Sequence, residues 1–518
     1  MADSTGSTAA TAPSEPAHPP GSALATSNAA ADAYVEASAD VASRFEYYKQ
    51  KVGLVAGPLL ALMVWYWSTT KAPALPALMA LCVTWWITEA LPAAVVALFA
   101  AVGAVLTGLA SPTQAFGSFG KPQLFLFVGS FFIAEAMRIH GLGERMARSL
   151  MSVARGRLSL LVMLGLTAFL LSMAMSNAAA TAIVLPIALS AAGPSDRKFQ
   201  AAVVLMVAWA ASVGGLGTPV GTPPNLFGIA ALRQHGLDLG FVEWMAMGVP
   251  IGLVMMLALV LVLAWFFGVK RGMSLPDQLH RAPRRWQVGE YSVVVVVGLA
   301  VLGWLLPSIV EAVSSQVGPG SAAMWMRTHL TEEVVAVIAG ALLFILPGGR
   351  RGVGGGKRPA LTWSEATQID WGVILLFGGG ILLGNLANST GLSAEWGRSL
   401  VALTSAHSTW GIVALCTGIA IVLSEVTSNT ATATLMAPLA ADLAHAAGAA
   451  PIPAVLGATL GASFGFMMPI STAPNALAYA TGTVSMGQMM RTGIVFDIVG
   501  FVLIVGGLRI ICPLMGWM

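Results

Sequence analysis

Charge is what this chain has least of. Of its 518 residues, 9% are Asp, Glu, Lys or Arg and 57% are hydrophobic. A soluble domain carries roughly 25% charged residues, so a water-covered globule is excluded and most of the surface must face lipid. Cysteine is also scarce. Cys82, Cys416 and Cys512 stand in apolar segments without ligand spacing, which excludes a disulfide framework and leaves them as small core residues. Basic patches with interleaved aromatics are missing, so no nucleic-acid partner is expected. His140, His235, His280, His329, His407 and His445 fall at loop or helix ends without the spacing of a metal cluster.

What the chain does have is long apolar runs. Many approach or exceed the roughly 20 residues that cross a bilayer. Spans are expected near 53–69, 72–89, 92–110, 123–140, 200–235, 243–268, 290–307, 331–347, 371–388, 453–481 and 490–515. Two further stretches, 158–192 and 409–446, are interrupted by polar residues and read as re-entrant hairpins. Unwound backbone at that depth is tolerated where it is buried in protein or lines a cavity. Residues 1–40 are rich in Ala, Ser, Thr and Pro, with neither a basic start nor an apolar core. They are not a secretory signal, and 1–48 is read as a disordered cytoplasmic tail. The fold class that follows is an all-α multi-pass membrane protein, with about eleven transmembrane helices and two re-entrant hairpins.

The interruptions repeat. Met175-Ser176-Asn177-Ala178 is answered by Thr427-Ser428-Asn429-Thr430, and Pro186 by Pro438. Gly221-Thr222-Pro223-Pro224-Asn225 is answered by Ser471-Thr472-Ala473-Pro474-Asn475. Leu126-Phe127-Val128-Gly129, Gly141-Leu142 and Arg148-Ser149-Leu150 also recur, as Leu376-Phe377-Gly378-Gly379, Gly391-Leu392 and Arg398-Ser399-Leu400. With the N-terminus inside and the spans alternating, 20 of the 26 basic residues fall inside and 6 outside, as the positive-inside rule requires. The loop after the first Gly-Leu carries Arg145, Arg148, Arg155 and Arg157, and its counterpart carries Arg398 alone. The two copies are therefore expected in opposite orientations. This divides the chain into the tail, a first helix with the first repeat (49–286) and a second repeat (287–518). Inverted repeats around a midplane site are a feature of secondary transporters. The bilayer is the expected setting, in the cytoplasmic membrane of a bacterium, with the C-terminus outside.

The helix after each Ser-Asn begins at a hairpin tip, so its first amides and positive dipole end point into the protein. Such a terminus favours an anion, and two facing termini favour a dianion. None of the four polar motifs contains Lys, Arg or His. An anion would be met by dipoles, amides, hydroxyls and bound cations. Asn, Ser and Thr supply both donors and acceptors, and their oxygens suit a hard cation such as Na⁺. Two Na⁺ per anion would match two half-sites. A membrane-embedded enzyme would need a nucleophile–base pair or a metal cluster, and no His or Cys accompanies the site, so no enzyme and no other cofactor is expected.

On Trp86-Ile87-Thr88-Glu89-Ala90-Leu91-Pro92, both Ser-Asn tips, both Pro-Asn loops and Ser424-Glu425-Val426-Thr427-Ser428-Asn429-Thr430, the chain resembles the divalent-anion/sodium symporter family from about Trp85 to its end. That family carries dicarboxylates, citrate and sulfate. The resemblance implies a homodimer with a scaffold part and a transport part that moves like an elevator. It implies one sodium at Ser172, Ser176, Asn177 and Gly221, and a second at Ser424, Thr427, Ser428, Asn429 and Ser471. It places substrate carboxylates at Asn177, Ala178, Thr222, Ser428, Asn429, Thr430 and Thr472. Ser172 and Ser176, one helical turn apart in sequence, are expected to face the same ion.

Three positions depart from the family pattern. Ala178 replaces the usual threonine, Ala473 a proline, and Asp497 an amide in the last span. Glu425 is read either as a coupling group or as an acid that satisfies the tip backbone. Glu89 is read as interfacial, Glu135 as hydrogen-bonded within its span, and Gly378-Gly379-Gly380 as close helix packing. The expected activity is sodium-coupled symport of a C4 dicarboxylate such as succinate, malate or fumarate. Its rivals are a sodium-independent dicarboxylate exchanger and a sodium-coupled sulfate or citrate transporter.

Overall fold

The computed structural model describes residues 47–70, 72–193, 196–270, 285–313, 322–351, 357–392, 395–396, 399 and 408–518. The expected tail up to residue 46 lies outside these, as do Lys71, His280, Arg398 and His407. Residues 47 and 48, assigned to the tail from sequence, already belong to a helix over 47–67.

Residues 50–518 form one unit whose regular structure is almost wholly helical. Among the described residues seven helices are long and apolar enough to cross a membrane, and five apolar helices are shorter. The long ones expose Leu257, Leu261 and Trp265 on one helix and Ile498, Val502 and Ile510 on another. Apolar side chains turned outward on helices of this length suit contact with lipid.

Each hairpin expected from sequence is present as two helices with a break between them. The first is Arg157–Ser172 followed by Asn177–Ala192, and the second is Thr409–Val426 followed by Asn429–Ala446. At the open end of the first hairpin, Arg157 pairs with Asp196. The Phe199 amide and the Arg157 guanidinium hold the Asp196 carboxyl below the usual carboxylate range.

Two of the expected spans are broken at the polar Pro-Asn loops that recur in the sequence. The run 200–235 is helix Arg197–Gly214, a tight turn at Gly215–Gly217, then helix Pro223–Gln234. The run 453–481 is helix Pro451–Ala462, an irregular loop, then helix Ala473–Ala480. Proline supplies the start of both later helices, because its missing N–H costs nothing in a first turn.

The centre of the molecule is built by small residues. Ala201, Ala202, Ala208, Ala210 and Ala211 on Arg197–Gly214 are fully buried, and a Cβ at Gly214 would fall 2.3 Å from the Phe169 carbonyl oxygen. Helix backbones approach this closely only where side chains are minimal. Arg197–Gly214 thus touches both legs of the first hairpin, and Pro451–Ala462 touches both legs of the second.

The two halves cross over. Tip helix Asn177–Ala192 packs on Ala473–Ala480 from the second half, and tip helix Asn429–Ala446 packs on Pro223–Gln234 from the first. A Cβ at Gly378 would meet Phe119, at Gly379 Ala97, and at Gly380 Thr434. That triplet is close helix packing, as expected.

The remaining departures are local. Pro347–Arg351 and Lys357–Pro359 form a two-stranded antiparallel hairpin that apolar periodicity did not suggest. Glu89 adopts a left-handed conformation (φ 51°) that ends helix Ala74–Thr88. Glu135 is held by Arg138, three residues along the same helix.

Candidate functional site

At the first tip the helix ends at Ser172, and Ser176 stands in extended backbone as the N-cap of the next helix. Ser172 and Ser176 therefore do not share a helical face, and the one-turn relation expected from sequence does not hold. Ser176 Oγ instead accepts the Ala179 N–H at 3.3 Å. Ser172 Oγ donates to Asn177 Oδ1 at 2.6 Å. Two glycines close the space around this pair. A Cβ at Gly215 would lie 2.5 Å from Asn177 Oδ1, and one at Gly221 would lie 2.5 Å from Gly215 O and 2.9 Å from Ser172 O. Asn225 Nδ2 fixes the wall by donating to the carbonyls of Gly215 (2.8 Å) and Thr218 (2.7 Å).

The second tip repeats this pattern with different residues. Ser428 caps its helix through the Ala431 N–H (3.2 Å), and Ser424 Oγ hydrogen-bonds Asn429 Oδ1 (2.7 Å). A Cβ at Gly465 would lie 2.8 Å from Ser424 O and 3.2 Å from Ser471 Oγ. Asn475 Nδ2 donates to the carbonyls of Gly465 (2.7 Å) and Met468 (3.0 Å). Ser471, where the first half has Gly221, adds a hydroxyl that donates to Gly465 O at 2.6 Å. The Thr427 hydroxyl is shared with Thr432 at 2.8 Å.

Each half thus gathers Ser Oγ, Asn Oδ1 and main-chain carbonyl oxygens into a cradle with glycine at its wall. Neutral oxygens with no thiolate or imidazole are the donor set of a hard cation, so the residues fit Na⁺. Burial separates two layers. Ser172, Ser424, Thr427, Ser471 and Thr222 are buried; Asn177, Ala178, Ser428, Asn429, Thr430 and Thr472 are only half-buried, and Ser176 is exposed. The half-buried residues sit in or beside the first turns of helices starting at Asn177, Asn429 and Ala473. Such first turns have amides without intrahelical acceptors and favour anions.

Sequence reasoning missed three features. Gly215 and Gly465 were not singled out, although a glycine ten residues before each Pro-Asn asparagine was a readable signal. The 466–467 turn is gripped by Glu425, whose Oε1 accepts the N–H groups of Phe466 (2.7 Å) and Met467 (3.0 Å). Trp209 Nε1 donates to Asn475 Oδ1 at 3.0 Å and ties the first half to the second.

A family model described as citrate transporter matches residues 83–461. Over 88% of this chain and 90% of the relative, the sequence is 30% identical to the sodium-dependent dicarboxylate transporter SdcS of Staphylococcus saprophyticus. The chain belongs to the divalent-anion/sodium symporter family. The SdcS of Staphylococcus aureus strain USA300 is 31% identical over 88% of this chain and 90% of its own. A Haemophilus influenzae protein named an uncharacterized transporter is 31% identical over 83% and 89%. In fold, the crystal structure of the Alcanivorax borkumensis YdaH transporter aligns at a TM-score of 0.56 and 15% identity, covering 77% of this chain and 86% of that one. As a family member the chain is a multi-pass membrane transporter.

Proposed function

We propose that this transporter carries a C4 dicarboxylate inward together with sodium, by an elevator movement of its hairpin-bearing part within a homodimer. The observation that carries this reading is the pair of matched oxygen cradles, Ser172–Asn177–Gly215 and Ser424–Asn429–Gly465, behind half-buried helix starts. The names of the staphylococcal relatives point the same way. Ser172, Ser176, Asn177 and Gly221 would hold one Na⁺; Ser424, Thr427, Ser428, Asn429 and Ser471 would hold the other. Asn177, Ala178, Thr222, Ser428, Asn429, Thr430 and Thr472 would line the dianion.

Electrostatics explains why sodium suits the task. Each charge carried across the membrane potential is worth about 2.3 kcal/mol per 100 mV, and a dianion entering an inside-negative cell pays this twice. Two Na⁺ cancel that charge and supply the positive partners that the motifs lack. Bound in the cradles, sodium contributes local positive charge; the protein's own groups supply carbonyls and hydroxyls to hold it and amides to orient the carboxylates.

Uptake of labelled succinate into proteoliposomes tests the proposal. Uptake is expected with sodium outside and none when choline replaces it. Sodium-independent counterflow with internal succinate would replace the symport reading by exchange. Sulfate or citrate competing better than malate and fumarate would change the cargo.

A further inference from the structure

A polar cavity of about 220 Å³ lies apart from both tips, where helices Pro122–Ile139, Leu142–Met151 and Val288–Val313 meet the strand pair at 347–359. It has room for several waters. Four arginines line it, Arg138, Arg145, Arg148 and Arg358, against two acids, Glu144 and Glu290. The walls are fixed by bonds between elements distant in sequence. His140 Nε2 donates to Ala360 O at 2.7 Å, and a Cβ at Gly289 would fall 2.2 Å from the His140 ring. Ser292 Oγ donates to Pro347 O at 2.8 Å and seats the strand pair on helix Val288–Val313. Arg145 reaches both Glu290 oxygens, at 3.1 and 2.9 Å, and lies 4.4 Å over the Trp286 ring.

The other three arginines each have an acid too: Arg138 has Glu135, Arg148 has Glu144 and Arg358 has Glu365. A carboxylate takes up only part of the five N–H groups of a guanidinium. Arg358 binds Glu365 through Nη2, while its Nε is buried and, among the described residues, has no acceptor. A buried donor without an acceptor is costly, and an anion in the cavity would supply one. The side chains of Arg138 and Arg148 are 55% and 60% exposed and form the rim.

The position of the cavity says which anion. Trp286 and Tyr291 are exposed, stack at 5.2 Å and precede the outward apolar Val294, Val295 and Leu299 on the same helix. Trp and Tyr gather where a membrane helix leaves the hydrocarbon, so the cavity stands at headgroup level. On the topology expected from charge counting this end is inside, as are the stretches 138–157 and 350–358 that supply the arginines. Basic groups at that surface attract anionic lipids.

We infer that this cavity binds the phosphodiester group of an anionic phospholipid of the inner leaflet. Arg358 Nε donates to a phosphate oxygen, and Arg138 and Arg148 add charge at the rim; the planar guanidinium fork matches phosphate geometry. Arg148 belongs to the helix that leads into the first hairpin, and Arg358 to the strand pair seated on Val288–Val313. The bound lipid therefore links the lead-in helix of that hairpin to its neighbours at the membrane surface. The inference stands whichever anion and cation the tips carry.

The experiment titrates the purified protein in detergent with dihexanoyl phosphatidylglycerol, dihexanoyl phosphatidylcholine and inorganic phosphate, following thermal stabilisation. Phosphatidylglycerol is expected to stabilise at concentrations where the other two do not. Arg358→Lys keeps the charge beside Glu365 but loses the buried Nε–H. It is expected to raise the phosphatidylglycerol midpoint about tenfold, the scale of one hydrogen bond to a charged group. Arg148→Gln is expected to raise it about fivefold, the scale of one basic residue at an anionic surface. Inorganic phosphate acting at the phosphatidylglycerol midpoint overturns the lipid as ligand, and phosphatidylcholine acting there overturns the anion. A midpoint unchanged in either variant overturns this cavity as the site. Should Arg358→Lys fail to fold, Arg148→Gln, on an exposed side chain, decides alone.

Discussion

Asn225 and Asn475 do the same work on their Nδ2 sides but differ at Oδ1. Asn475 Oδ1 receives Trp209 Nε1. The residue answering Trp209 in the second half is Thr459, and among the described residues neither its hydroxyl nor Asn225 Oδ1 has a partner. Duplication has kept the cradle and let its surroundings diverge. Ala178 is the same kind of divergence at the tip, facing Thr430 in the other copy, and both are half-buried. Ala178→Thr is expected to lower the succinate KM by about two- to tenfold, the range of one added neutral hydrogen bond. Concentration-dependent uptake at saturating sodium checks this, and an unchanged KM would place position 178 outside the pocket. Residue types were readable here because the motifs occur twice; the grip of Glu425 on the Phe466 and Met467 amides was not, because the two segments are joined only by folding.

At the scale of elements, the apolar runs located the long helices among the described residues and both hairpins with their breaks, but the expected spans at 200–235 and 453–481 run straight through the Pro-Asn loops. The run at 200–235 carries the polar Gly-Thr-Pro-Pro-Asn motif, and its first helix already stops at Gly214. Gly217, Pro219 and Gly221 interrupt the helix there, and Asn225 takes up the freed carbonyls of Gly215 and Thr218. The strand pair at 347–359 is short and polar, so apolar periodicity is silent about it. What decides element packing is backbone clearance. Gly214→Ala would drive a methyl group into the Phe169 backbone, at 2.3 Å from its carbonyl oxygen. Overpacking of a tight core costs about 1–3 kcal/mol, so a lower melting temperature in detergent is expected. Gly298→Ala is the control: nothing lies within 4 Å of that Cβ, and the melting temperature should stay or rise slightly.

For the whole molecule, the orientation of the halves rests on charge counting and can be measured directly. Cys82, Cys416 and Cys512 are all buried, so the background to thiol labelling should be low. Ser152 and Asp238 are both exposed. In right-side-out vesicles, Asp238→Cys is expected to react with an impermeant maleimide at once, and Ser152→Cys only after permeabilisation. Reaction of both from one side would refute the alternating topology. The crossover of the halves also sets a clock on biosynthesis. The Trp209 indole meets Asn475 across a separation of 266 residues, and a ribosome adds roughly 5–20 residues per second. The first half therefore spends tens of seconds in the bilayer before its partner helix exists. During that interval its polar tip must be sheltered by lipid headgroups, by the insertion machinery or by its own unfinished fold.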